Sequence, residues 1–167
     1  MQSLQSQNFG LLIAYLLPGF VGLWGISHVS VTVERWLAGD ASGPTVGGFL
    51  YVTLASVGVG LTVSTLRWLV IDTIHHFTGS SQPPWNFSRL SDRTTAFQTL
   101  IEIHYRYYQF YANSCIAVIM VVALRWWAEG FDLRELLGSL ALITLFFVAS
   151  RDTLHKYYQR VEGLLGA

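Results

Sequence analysis

Residues 102–124 read EIHYRYYQFYANSCIAVIMVVAL, and from Tyr107 to Leu124 no charge interrupts them. Eighteen residues at 1.5 Å each make about 27 Å of helix, close to the ~30 Å of a bilayer's hydrocarbon core. Glu102, Arg106, Gln109 and Asn113 fall at offsets 0, 4, 7 and 11 of this stretch. That spacing makes one helical stripe, and its last two members lie at membrane depth. Polar side chains there face a protein interior or a wet cavity. Glu102 and Arg106 also stand in the favourable i,i+4 order for an ion pair.

Working outward, the same reading recurs along the chain. Hydrophobic residues make up 52% and charged residues 12%, about half the charge of an ordinary soluble domain. Residues 9–29 carry no charge and exceed a signal peptide's apolar core, so they read as a retained first span. Pro18-Gly19 in its middle predicts a kink. A second span is expected over about 48–71, a third over 107–127 and a fourth over 136–150. The fourth is short: fifteen uncharged residues separate Glu135 from Arg151, about 22 Å of helix. The expected fold is all-α, a single domain over 1–167: an integral membrane bundle of four transmembrane helices. Helices 3 and 4 would extend on the cytoplasmic side, the former from about Thr94 and the latter through the tail to Leu165.

Seven Lys/Arg (Arg67, Arg89, Arg93, Arg106, Arg151, Lys156, Arg160) lie on the face of the 72–106 connection and three (Arg35, Arg125, Arg134) on the other. The positive-inside bias then places both termini in the cytoplasm, with the chain in a plasma or inner membrane. Residues 39–48 (GDASGPTVGG) read as an external loop and 129–132 as a tight external turn. Residues 79–85 (GSSQPPW) cannot be regular. Gly19, Gly22 and Gly25 in span one, and Ser56, Gly60 and Ser64 in span two, have the spacing that lets membrane helices approach closely.

The ionisable residues gather at one end. Asp72, His75 and His76 end span two; Glu102, His104 and Arg106 approach span three; Arg151, Asp152, His155 and Lys156 end span four. DTIHHF (72–77) is echoed by DTLHKY (152–157), and an Asp and a His three apart share a helix face. Asp72, His75, Asp152 and His155, with Glu102, therefore form a candidate divalent-metal set. It lacks the fourth carboxylate of a di-metal bundle site, and no cofactor is favoured. His75, His76, His104 and His155 are the candidate general acids or bases. The competing expectation is a polar network of Asp72, Glu102, Arg106, Gln109, Asn113, Arg151 and Asp152 that holds the helix ends. Tyr105, Tyr107, Tyr108, Tyr111, Tyr157 and Tyr158 stand where an interfacial aromatic belt belongs.

No Gly-x-Ser-x-Gly, His-Glu-x-x-His or P-loop pattern is present in the sequence, which removes those hydrolase, zincin and NTPase mechanisms. Ten basic residues balance ten acidic ones, so no field recruits nucleic acid. One cysteine excludes a disulfide framework. The leading expectation is a non-enzymatic, homo-oligomeric protein of the lipid bilayer. Its polar cytoplasmic mouth gates a conduit or docks a cytoplasmic protein partner. The alternative is a membrane-embedded enzyme of lipid or headgroup chemistry.

Overall fold

The computed structural model describes residues 10, 12–38 and 46–166. The first nine residues, which include the start of the first expected span, and most of the expected 39–48 loop lie outside the described residues. All regular structure among the described residues is helical. Three helices are long and apolar enough to cross a membrane: α3 (Val46–Phe77), α4 (Thr94–Glu129) and α5 (Leu133–Leu165). They carry spans two, three and four. α1 (Leu12–Ser27) is apolar but shorter, about 24 Å long. Among the described residues, three helices reach full crossing length, and α1 is the shorter apolar one. A further short helix, α2 (Val31–Ala38), follows α1 and stacks Trp36 on Tyr51 of α3, 6.0 Å between ring centroids.

α4 is the central element. α1 packs on both α3 and α4, while α5 packs almost wholly on α4. More than half of the apolar window of α4 is buried, against 6% of that of α5. α5 therefore shows an exposed apolar stripe, including Leu137, Leu145 and Val148.

Glycine sets the closeness of α1 and α3. A Cβ on Gly19 would lie 1.9 Å from the Ser56 carbonyl oxygen, and one on Gly60 2.2 Å from that of Tyr15. Such backbone proximity brings the two helices into dispersion contact.

Three of the helices carry a π turn at the polar end: Leu12–Leu16 in α1, Trp68–Asp72 in α3 and Ile101–Tyr105 in α4. The first of these turns precedes Pro18-Gly19, the dipeptide at which the sequence predicts a kink. Leu17 begins the regular part of α1, with Pro18 second, and the irregular turn lies just before them. Proline has no N–H for the carbonyl four residues back, which here is Ala14.

Beyond the apolar segments, α4 and α5 form a stalk with its own small core. Tyr157, Val161 and Leu165 pack against Phe97, Leu100 and Ile101, with Trp85 of the connection against Tyr157 and Tyr158. The Asn86 N–H donates to the Leu165 carbonyl (2.9 Å), and Arg93 to that of Leu164, which tie the connection to the end of α5. At the other end, Gly130 at φ +93° ends α4. Asp132 then caps α5 by accepting the Arg134 N–H at 3.0 Å.

Candidate functional site

The polar end is built from four helices, and its ionisable groups divide by burial. Among the described residues Arg67 is the buried cation, with a side chain 7% exposed. Its Nη1 lies 3.4 Å from Asp72 Oδ1, and its guanidinium carbon 5.3 Å from the centroid of the Tyr108 ring. Tyr108 donates its hydroxyl to the same Asp72 oxygen. The result is a compact Arg–Asp–Tyr group between α3 and α4. Arg67 Nε meets no hydrogen-bond partner among the described residues.

Arg106 occupies a different position. It is half-buried and donates from Nη1 to Gln109 Oε1 at 3.0 Å. Gln109 Nε2 donates onward to the Tyr15 hydroxyl (3.0 Å), and Asn113 Nδ2 to the Ala14 carbonyl (2.7 Å). The stripe on α4 therefore meets α1. Asn113 thus supplies the Ala14 carbonyl with the N–H donor that Pro18 lacks. Glu102, on the π turn, is half-buried.

The two Asp-Thr-x-His segments do not present the same face. His75 is fully buried, its ring tilted against that of Phe147 at 4.9 Å between centroids, with Nε2 3.0 Å from Ser150 Oγ. Ser150 gives its own proton to the Phe147 carbonyl (2.8 Å), so His75 Nε2 is the donor. In the second segment Leu154 and Tyr157 turn inward while Asp152 and His155 are exposed. Asp152 pairs with Lys156 at 2.6 Å, and His155 Nε2 with Gln159 at 2.9 Å. Asp72 and Asp152 thus engage separate cations. Among the described residues no three His, Cys, Asp or Glu gather where a metal could be held.

The remaining histidines also separate. His104 is buried on the π turn of α4 and takes an N–H from Arg160 at Nε2, which ties the two halves of the stalk. His76 is exposed at the end of α3. Arg151 is exposed but held: Nη2 donates to the Thr78 carbonyl (2.8 Å) and Nη1 to its hydroxyl (3.2 Å). Beside it an open cleft of about 370 Å³ is lined by Gly79, Ser80, Val148, Arg151, Asp152 and His155.

Three features escape a reading of the sequence. Arg67 ends an apolar run and looks there like a cation reaching for the surface. Tyr108 looks like belt, as does Tyr107; the former is 2% exposed and the latter 45%. At the opposite end, His28 Nδ1 meets Glu129 Oε1 at 2.8 Å. Arg125 spans Glu129 (3.0 Å) and Glu135 (3.3 Å), which joins α1, α4 and α5. His28 and Glu129 are 101 residues apart, and no local pattern links them. Compared with known families, with curated proteins and with solved structures, the chain finds no match.

Proposed function

We propose that this chain is a non-enzymatic, self-associating protein of four membrane-crossing helices, α1 included, whose cytoplasmic mouth docks a partner protein. The observation that carries this reading is the division of the mouth by burial. Asp72, His75 and His104 are each engaged between helices. Arg151, Asp152, His155, Lys156 and Gln159 are exposed together on one turn-by-turn surface of α5. Groups held in helix contacts are poorly placed to exchange protons with a substrate, whereas an exposed mixed-charge surface gives orientation and rate to protein docking. Self-association is supported by α5, which shows lipid or a second copy nearly its whole apolar face.

The experiment is site-specific photocrosslinking in native membranes from a reactive residue at Gln159, with the buried Tyr157 as control. A discrete adduct from position 159 alone is expected. No adduct from 159, or equal labelling from 157, contradicts the reading.

A second reading, the gate of a conduit, has its own support. Arg67 Nε, Ser56 Oγ and Asn113 Oδ1 are buried within the helix packing without hydrogen-bond partners among the described residues. Such atoms attract internal water. Proton flux into vesicles carrying the purified chain tests it; flux unchanged from empty vesicles contradicts it.

A further inference from the structure

We infer that the cleft between the end of α3 and α5 binds the phosphate of an anionic phospholipid. This rests on the reading of the exposed mouth groups as a binding surface, and it names a lipid as the occupant of that surface's membrane-level edge.

The argument begins with register. Leu137, Ala141, Leu145, Val148, Asp152 and His155 follow one another at three- and four-residue steps, so they form one stripe along α5. The stripe is apolar through Val148, and Leu137, Leu145 and Val148 are 61%, 62% and 61% exposed. From Leu137 to Val148 the helix rises about 16 Å, a length suited to an acyl chain. The stripe then becomes ionisable within one turn. Val148 is itself a wall of the cleft, and so are Arg151 and His155. A lipid tail lying on the stripe therefore ends with its headgroup at the cleft.

The second element is the guanidinium. Thr78, at the end of α3, takes two of its N–H groups through its hydroxyl and carbonyl oxygens. Arginine has five in a fixed fork, so the group is oriented while donors remain for a phosphate at the cleft that it lines. The one carboxylate in the wall, Asp152, is engaged by Lys156 at 2.6 Å. Its repulsion of an anion is offset by that ammonium. Basic pockets between membrane helices at the headgroup level select anionic lipids in this way.

The test uses the full chain in detergent, exposed to phosphatidylglycerol, phosphatidylcholine or inorganic phosphate, with bound lipid read by native mass spectrometry. One basic residue near an anionic headgroup confers about a fivefold preference. The wild type is expected to carry phosphatidylglycerol over phosphatidylcholine by at least that factor. Arg151→Gln should lose the preference, and Arg134→Gln at the opposite end of α5 should keep it. If Arg151→Gln fails to retain its helix content, Thr78→Val replaces it. That variant removes the hydroxyl that orients the fork, keeps the charge, and should lower the preference. Equal binding of the two lipids, or a preference that survives both variants, overturns the inference. Displacement of phosphatidylglycerol by equimolar inorganic phosphate would assign the cleft to the free anion and also overturn it. The crosslink from Gln159 reports separately: an adduct there without lipid preference removes the lipid and leaves protein docking standing.

Discussion

Asn113 Nδ2 donates to the Ala14 carbonyl at 2.7 Å, across α4 and α1, where Pro18 leaves that carbonyl without its helical donor. A defect that proline makes in one helix is thus met by a side chain of another. Interhelical hydrogen bonds of this kind contribute about 0.6–2 kcal/mol. Asn113→Ala should lower the stability of the solubilised chain by about that amount. The cost should shrink in a Pro18→Ala background, where the backbone can supply its own N–H. A double-mutant cycle in a denaturation assay measures the coupling; strictly additive effects would detach Asn113 from the proline.

The Arg67–Asp72–Tyr108 group predicts an order among the arginines. Breaking a buried pair leaves an unmatched charge and costs about 3–5 kcal/mol. Arg67→Ala should therefore be strongly destabilising. Arg106→Ala, from a half-buried residue bonded to Gln109, should cost nearer 1 kcal/mol, about one hydrogen bond. Unfolding of both variants in the same detergent checks the order, and equal costs would deny Arg67 its buried role.

Sterics at the α1–α3 crossing give a third expectation. At Gly19 an added methyl meets backbone, which cannot swing aside, whereas nothing lies within 4 Å of one at Gly58. Gly19→Ala should cost about 1–3 kcal/mol as an overpacked contact. Gly58→Ala should be neutral or slightly stabilising, since alanine favours helix. Thermal unfolding of the two variants compares them directly.

Much of this architecture is legible in the sequence. The long helices follow from apolar runs, and the start of α4 at Thr94 follows from the turn-forming residues ahead of it. The stripe of Gln109 and Asn113 announced a polar face, although the sequence could not say which helix would meet it. Arg67 and Tyr108 were not legible as a buried pair. An arginine at the end of a span and a tyrosine at an interface fit the bilayer rules equally well when they face solvent. The near-repeat at 72–77 and 152–157 is a related case. Identical spacing fixes which residues share a face, not which way the face turns. In α3 that face meets Phe147 and Ser150, whereas in α5 Leu154 and Tyr157 take the inside.

The stalk adds a prediction about the connection. Trp85 packs edge-on against Tyr157 and Tyr158. Its truncation to alanine should cost about 3 kcal/mol of local packing. Limited proteolysis should then cut Trp85→Ala within 79–93 faster than the wild type, while the apolar segments stay protected. Unchanged cleavage would show that the stalk does not need Trp85.

The orientation of the ionisable mouth underlies the whole functional account, and cysteine accessibility in intact cells measures it most directly. In a Cys115→Ser background, single cysteines replace Ser81 in the connection and Phe131 in the turn between α4 and α5, and a membrane-impermeant maleimide is applied from outside. The account predicts labelling at 131 and protection at 81 until the membrane is opened. Labelling at 81 with protection at 131 would place the mouth outside the cell and contradict it.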